Sequence, residues 1–158
     1  MDSAVIVLIP SAKYVKARPK TTDHHLTLAY YGLASDLTVE AKSRLRNLVQ
    51  HLATSAVGTG GTASGIGVFD AGGDGFAVVD LIDGNDSSLL RQFLQNADGL
   101  DGATINKRHG FTPHMTREFV PKGDEVYAEI TPDMIDNIKF RWAAVGCWIG
   151  DERFEVTL

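Results

Sequence analysis

Cysteine is almost absent from this sequence: Cys147 is the single thiol among 158 residues, so no disulfide can form within the chain. A chain of this length buries a core large enough to fold without covalent cross-links, and missing disulfides are typical of reducing compartments. The apolar run at residues 4–9 is too short for a signal peptide or a membrane span. We therefore expect one cytoplasmic domain that covers residues 1–158 and has no membrane partner.

Positive charge is also in short supply. The formal net charge is −5, which argues against a protein that grips a long nucleic-acid duplex through many phosphates. The basic residues are unevenly placed, however, with four between positions 13 and 20 and two more at positions 107 and 108. Each cluster precedes a His-x-Thr triplet, and it is either a solvated loop or a local funnel for an anionic substrate.

Metal-binding patterns are missing as well. The chain has no His-Glu-x-x-His, no pair of cysteines and no dense run of carboxylates. The paired glycines at 60–61 and 72–73 are not followed by Gly-Lys-Ser/Thr, so they indicate turns instead of phosphate loops. No metal and no cofactor are therefore expected.

Hydrophobic spacing predicts two helices and seven strands. The first helix covers 38–54 and is capped by Asp36 or Thr38, and the second covers 86–97. Strands are predicted at 5–9, 25–31, 63–69, 76–82, 111–120, 140–149 and 154–158, with a hairpin turn at 70–75 and a short helical turn at 131–138. This order predicts an α+β domain of two layers with mostly antiparallel sheets.

Two His-x-Thr triplets lie in the predicted strands: His25-Leu26-Thr27, here motif 1, and His114-Met115-Thr116, here motif 2. Chance would place two such triplets among five histidines in about one composition in twenty. Alternation along a strand puts the imidazole and the hydroxyl of each motif on the same face. By the same alternation, Tyr31 shares the face of His25, and Tyr30 points into the core.

The two motifs carry the groups that phosphodiester cleavage requires. One group must take a proton from the nucleophile and another must give one to the leaving oxygen, and His25 and His114 can hold both protonation states near neutral pH. The Thr27 and Thr116 hydroxyls can donate hydrogen bonds to phosphate oxygens as charge develops there. The sequence therefore predicts catalysis by these four residues without a metal. Which histidine is the base, and whether water or a ribose 2′-hydroxyl attacks, stays open.

Five further residues are candidates for binding the substrate. Tyr14 can stack on a nucleobase from the basic connector, or it can simply pack that connector onto the body of the domain. Lys13 lies next to it in the sequence, Tyr31 is expected to line the groove, and Arg108 and His109 precede motif 2. By contrast, Trp142 and Trp148 are expected in the core, and His24 and His51 are expected to be structural.

The motifs with their neighbours, His25-Leu26-Thr27-Leu28 before Gly32 and Pro113-His114-Met115-Thr116, resemble the signature pair of the 2H phosphoesterase superfamily. The resemblance implies a bilobal fold in which two pseudo-symmetric antiparallel sheets flank a central groove, with helices outside. It also implies that the two histidines form the acid–base pair and that the two threonines bind the phosphate.

Two departures from the family pattern bear on the substrate. The connector at 10–24 is too short and too rich in proline for the long helix that RNA ligase-like members place there. Arg117 and Glu118 follow motif 2 where the family continues with apolar residues, and Arg117 is expected on the face away from Thr116.

Members of the family act on several substrates, so the resemblance leaves the substrate open. A 2′,3′-cyclic phosphate, a 2′–5′ linked oligonucleotide or a cyclic oligonucleotide is compatible with it. One alternative is a phage-type hydrolase that destroys the cyclic di- or trinucleotide messengers of bacterial immunity, in the cytoplasm of the host. An alternative of another class is a protein that sequesters a nucleotide without turnover.

Overall fold

The computed structural model of the protein describes residues 2–70, 75–99, 102–107, 110–123 and 130–158. Its strands are β1 (Ser3–Pro10), β2 (Leu26–Leu33), β3 (Gly60–Asp70), β4 (Gly75–Asp83), β5 (His114–Pro121), β6 (Lys139–Ile149) and β7 (Glu152–Thr157). Its helices are α1 (Ala12–Ala17), α2 (Val39–Ala56) and α3 (Asn85–Asn96), with single 3₁₀ turns at Ala34–Asp36 and Pro132–Met134. The predicted α+β class is confirmed.

The seven strands within the described part of the chain form one sheet in which every pairing is antiparallel. The strand order is β2-β1-β6-β3-β4-β5. Strand β7 lies outside this order and pairs with β6. Strand β6 joins two parts, because its residues 139–141 pair with β3 while its later residues pair with β1 and β7. We call β2, β1, β6 and β7 the first half-sheet, and β3, β4 and β5 the second half-sheet.

Helix α2 begins where the sequence predicts. Thr38 is its N-cap, and the Thr38 hydroxyl accepts a hydrogen bond from the Ala41 backbone N–H at 3.1 Å. The apolar stripe of the helix is buried at Leu45, Leu48 and Leu52. Helix α2 packs on β6 and β7 of the first half-sheet, and α3 packs on β2 and β3, so their burial fixes which face of these strands is the core.

Alternation along β1 separates two faces of the first half-sheet. Ala4, Ile6 and Leu8 belong to the main hydrophobic core, and we call this side the core face. Val5 and Val7 point to the opposite side, where Val7 pairs with Thr27. We call the side that carries Thr27 in the first half-sheet, and Thr116 in the second, the motif face. No described helix is long and apolar enough to cross a membrane.

The connector between β1 and motif 1 contains a six-residue helix, α1, that the polar composition did not predict. It buries Tyr14 completely, and the Tyr14 hydroxyl donates a hydrogen bond of 2.6 Å to the Asp80 carboxylate on β4. The buried Arg18 binds the same carboxylate through Nε at 2.7 Å and also binds Asp136. Arg117 donates to Asp80 at 3.2 Å, so one buried carboxylate ties the connector to β4 and β5.

A β-bulge in β2 overturns part of the predicted alternation. Val7 pairs with Thr27 and Ile6 with Ala29, so Leu28 is an extra residue without a partner on β1. Beyond a bulge the side chains change faces. Tyr31 therefore lies in the core, and Tyr30, which pairs with Val5, lies on the motif face. The prediction that Tyr31 lines a groove and Tyr30 is core is wrong for this reason.

Candidate functional site

The two motifs lie close together although they are distant in the sequence. His25 immediately precedes β2, His114 is the first residue of β5, and these two strands contact each other. One cavity of about 420 Å³ is lined by His25 from motif 1 and Thr116 from motif 2. Phe119 and residues 19–23 of the connector complete its lining. The fold thus brings residues of both motifs to one cavity.

Each motif histidine makes the same hydrogen bond. The Nδ1 atom of His25 lies 2.6 Å from the carbonyl oxygen of Asp23, and Nδ1 of His114 lies 2.6 Å from the carbonyl oxygen of Thr112. Because a carbonyl only accepts, Nδ1 carries the proton in both rings. Nε2 is then the nitrogen left to exchange a proton with another molecule.

The chain bulges at equivalent places after the two motifs. In β2 the extra residue is Leu28, directly after Thr27, and in β5 it is Arg117, directly after Thr116. The carbonyl of Leu28 accepts a hydrogen bond of 2.6 Å from the buried guanidinium of Arg91 on α3. The Arg117 side chain binds Asp80, which shares the face of Met115, so it lies away from Thr116, as expected.

The two strands next to each motif threonine in the sheet repeat a second pattern. Thr27 pairs with Val7 and Val7 with Gly146, while Thr116 pairs with Val79 and Val79 with Gly67. An aromatic residue follows each glycine by two positions, and its ring lies over that glycine. Those two aromatic residues are Trp148 and Phe69.

Trp148 and Phe69 each contact one motif histidine. The ring centroids of Trp148 and His25 are 4.8 Å apart, and those of Phe69 and His114 are 4.5 Å apart. Both pairs are edge-to-face, the geometry that aromatic pairs prefer. The sequence reasoning did not select Phe69 and assigned Trp148 to the core. A signal for both was present in the repeated Gly-x-aromatic spacing on predicted strands.

His25 belongs to a closed cycle of contacts among four residues. Arg153 on β7 binds the Asp23 carboxylate at 2.9 Å, and its guanidinium carbon lies 4.1 Å from the centre of the Trp148 ring. Trp148 in turn packs on His25, and its indole N–H donates to Glu155 at 3.0 Å. His25, Trp148, Arg153 and Asp23 therefore hold one another in place.

The surroundings of His25 favour its neutral form. Burial lowers the pKa of the His25 imidazole below its ordinary value, and the positive charges of Arg153 and His114 lower it further. The hydrogen bond to the Asp23 carbonyl and the Asp23 charge raise the pKa, but they do not outweigh burial.

Two predicted substrate-binding residues lie elsewhere. Tyr14 cannot stack on a base from its observed position, because its ring is fully buried and its hydroxyl is bound to Asp80. Lys13 lines a different cavity of about 830 Å³, beside Gly60 and Arg141, which contains no motif residue. The stacking alternative for Tyr14 is wrong and its packing alternative is found, because α1 turns Tyr14 inward. The prediction that Lys13 binds at the motifs is wrong, because Lys13 lines the other cavity.

Of the two alternatives for the basic residues at 13–20, a solvated loop or an anion funnel, the described residues give little support to a funnel at the cavity. The charge of Arg18 is already paired with the carboxylates of Asp80 and Asp136. Lys20 borders the cavity and pairs with Glu118 at 3.2 Å. Arg108 and His109 lie outside the described residues. His24 is structural, as predicted, since its buried ring binds the Arg18 carbonyl at 2.9 Å.

Within the described ranges, no group of three or more His, Cys, Asp and Glu side chains is arranged to hold a metal ion. A comparison with models of known protein families and with curated proteins finds no match for this chain.

Proposed function

We propose that this protein is a phosphodiesterase that cleaves a nucleotide or short-oligonucleotide diester by two-histidine acid–base catalysis without a metal. The observation that carries the proposal is the pair of identical Nδ1–carbonyl hydrogen bonds at 2.6 Å, which leaves Nε2 of both histidines for proton transfer. Cleavage needs one group of each kind, a base and an acid, within reach of the same phosphate.

The environment of His25 suits it to the role of base. Its lowered pKa keeps the ring neutral near pH 7, so Nε2 can accept the proton of the attacking hydroxyl or water. His114, once protonated, gives the Nε2 proton to the oxygen that leaves. The bond from phosphorus to the leaving oxygen breaks as the bond to the attacking oxygen forms, and one proton is taken and one returned.

The threonines of the motifs suit the phosphate between the two histidines. Thr116 lines the cavity with His25, and Thr27 occupies the equivalent position in the first half-sheet. Each hydroxyl donates a hydrogen bond to a non-bridging oxygen, where negative charge grows in the transition state. Donors that are already in place stabilise such charge strongly because they need no reorganisation.

The repeated features support the bilobal arrangement that the resemblance to 2H phosphoesterases implies. A bulge follows each threonine. On the next strand the threonine's partner is a valine, and on the strand after that the valine's partner is a glycine. We infer that the two half-sheets are pseudo-symmetric lobes related across the cavity. Their shared strand β6 would then act as the bridge between lobes.

The test is hydrolysis of a substrate panel in the presence of EDTA. The panel contains 2′,3′-cyclic nucleotides, 2′–5′ and 3′–5′ dinucleotides, and cyclic di- and trinucleotides, and product is measured by chromatography. We expect turnover that survives the chelator and falls by about 10²–10⁴-fold in His25→Ala and in His114→Ala. His51→Ala is the matched control, because His51 is an exposed residue of α2.

Two outcomes would overturn the proposal. Turnover at the parent rate in the double alanine variant would exclude the two-histidine mechanism. Tight retention of a nucleotide with no product, in the parent protein, would instead identify a protein that sequesters its ligand. Within the enzyme hypothesis, the preferred member of the panel distinguishes RNA end processing from destruction of cyclic messengers.

A further inference from the structure

A second cavity, of about 830 Å³, lies where the two half-sheets join, and none of its described lining residues belongs to a motif. We call it the junction cavity. Residues 60–61 at the start of β3, which pair with residues 140–141 of β6, line it as a floor. Both floor residues are glycines, so no side chain rises from them to fill the space. The volume lies within the range of small-molecule sites, about 300–1,000 Å³.

Three cationic side chains line the junction cavity. Lys139 and Arg141 lie two residues apart on β6, so alternation puts them on one face of the strand, and Lys13 of α1 joins them. All three are exposed, and within the described part of the chain none of them makes an ion pair. By contrast, Arg18 and Arg153 near the motifs are paired with carboxylates. Unpaired charges of one sign around a concave surface attract an anion.

A hydroxyl group lies beside these cations. Ser11 is the N-cap residue of α1 and lines the junction cavity, but its hydroxyl makes no capping hydrogen bond. The Ser11 backbone N–H donates to the Arg141 carbonyl at 2.9 Å, which holds the two residues next to each other. Ammonium, guanidinium and hydroxyl groups are the side-chain donors that bind phosphate oxygens.

Two carboxylates line the same cavity. Asp83 is the last residue of β4, and Asp86 lies in the first turn of α3. The Asp86 carboxylate accepts a hydrogen bond of 3.0 Å from the Gly60 N–H, and the Asp83 carboxylate accepts one of 2.8 Å from the Gly84 N–H. Each of these bonds uses one carboxylate oxygen, so the second oxygen of each carboxylate can accept a hydrogen bond from a ligand.

Charges of opposite sign are separated within the junction cavity. Lys139 and Asp83 pair with Thr62 of β3 from its two sides, so the three side chains share a face. Two strand spacings, or about 9–10 Å, therefore separate the Cα atoms of Lys139 and Asp83. Among the described residues, no ion pair joins a cation of this cavity to either of its carboxylates. The cavity thus suits a ligand that is anionic at one end and carries hydroxyl groups at the other.

We propose that the junction cavity binds a small phosphorylated molecule with neighbouring hydroxyl groups, such as a nucleotide or a sugar phosphate. Its phosphate oxygens accept from Lys13, Lys139 and Arg141, and its hydroxyl groups donate to Asp83 and Asp86. The site goes beyond the proposed function and does not depend on it, because it shares no residue with the two motifs.

The test is isothermal titration calorimetry of the full chain with ADP, ribose 5-phosphate and pyrophosphate. Lys13→Gln, Lys139→Gln and Arg141→Gln should each weaken the binding of every probe by about 10- to 100-fold, the usual effect of losing a charged hydrogen-bond partner. Lys16→Gln is the matched control, because Lys16 is an exposed lysine of α1 that does not line the cavity. The melting temperature of each variant verifies that it folds.

Asp83→Asn tests the carboxylate end of the site. Asn keeps an oxygen for the Gly84 N–H, but its amide nitrogen cannot accept a hydrogen bond from a ligand hydroxyl. Ribose 5-phosphate should therefore bind more weakly to this variant. Pyrophosphate, which has no sugar hydroxyls, should bind up to about twofold more tightly because a repelling charge is removed. Equal changes for the two probes would exclude Asp83 as a partner of sugar hydroxyls.

His25→Ala and His114→Ala separate this site from the catalytic cavity. Both variants should keep the parent affinity for the probes, since neither histidine lines the junction cavity. Affinity that is lost in the histidine variants and kept in Lys139→Gln and Arg141→Gln would overturn the proposal, as would no binding of any probe. A preference for ADP or for ribose 5-phosphate supports the site and distinguishes a nucleotide from a sugar phosphate. Because the readout is binding, the result stands whether or not the protein hydrolyses a diester.

Discussion

His25 and His114 are held by the same contact: in each, Nδ1 lies 2.6 Å from the carbonyl oxygen of the residue two positions earlier. The acceptor for His25 belongs to Asp23, whose backbone is left-handed with φ of 53°. Asp is one of the few non-glycine residues that tolerate this conformation. The backbone before the strand thus sets the tautomer of the ring. The two rings differ in what surrounds them, and that difference yields the first prediction.

The acid limb of the pH–rate profile should respond in opposite directions to two substitutions beside His25. The base must be neutral, so kcat/KM falls as the pH drops through its pKa, which burial places below the ordinary histidine value. Arg153→Gln removes a charge that lowers this pKa, so the limb should move to higher pH. Asp23→Asn removes a charge that raises it, so the limb should move to lower pH.

Asp23→Asn is suitable because Asn accepts the left-handed backbone and retains the carbonyl that binds His25. Lys42→Gln on α2 is a charge control, expected to leave the limb in place. Profiles of kcat/KM from pH 4.5 to 9 measure the effect. Equal profiles in all four proteins would show that His25 is not the base.

Removal of either motif hydroxyl should slow catalysis without unfolding the protein. Thr27→Val and Thr116→Val keep the shape and the strand preference of the side chain but remove its donor. Each should lower kcat by roughly 10²–10³-fold, the usual effect of losing one donor to transition-state charge. Thr62→Val, on β3 outside the motifs, is the matched control. A loss confined to KM would contradict the proposed role, because it would indicate ground-state binding alone.

The Asp80 carboxylate should be the most costly polar group to remove. It is 1% exposed and accepts hydrogen bonds from Tyr14, Arg18 and Arg117. Asp80→Ala leaves buried guanidinium charge without its partner, and the expected loss is about 3–5 kcal/mol in the free energy of unfolding. Tyr14→Phe removes one hydrogen bond to the same carboxylate and should cost about 1.5–3 kcal/mol. Urea denaturation measures both, and equal losses would contradict the charge argument.

Gly146 should be needed to keep Trp148 against His25. A Cβ at this position would lie 3.0 Å from the Trp148 indole nitrogen and 3.1 Å from a Val7 methyl carbon. Gly146→Ala should push the indole outward, lower kcat and destabilise the fold by about 1–3 kcal/mol. Greater quenching of tryptophan emission by acrylamide would report the displacement, since Trp142 stays in the core. Unchanged quenching with unchanged kcat would show that the close approach is not required.

Local pattern predicted most of the secondary structure. Helix α2 begins after Thr38, one of the two residues predicted to cap it, and α3 begins at Asn85, one residue before the prediction. Both helices were readable because an apolar stripe at helical spacing has to face the core. The six-residue α1 was not predicted, since its stability comes from tertiary contacts such as the bond between Tyr14 and Asp80.

The errors at Tyr14 and Tyr31 have one cause. Tyr31 depends on the bulge at Leu28, and a bulge is set by how β2 pairs with β1, not by the alternation within β2. Tyr14 depends on Asp80, which is 66 residues away in the chain. Neither the pairing of β2 with β1 nor the contact of Tyr14 with Asp80 can be read from the residues next to each tyrosine in the sequence.

The sequence by itself determined the two motifs, because a spacing of two puts histidine and threonine on the same side of any strand. It also determined the elements that carry them. Only the tertiary structure decided that His25 packs on Trp148 and His114 on Phe69, and that Phe119 rather than Tyr31 lines the cavity. Those contacts arise from strand register and from two bulges. Register is a property of paired strands, so no single strand contains it.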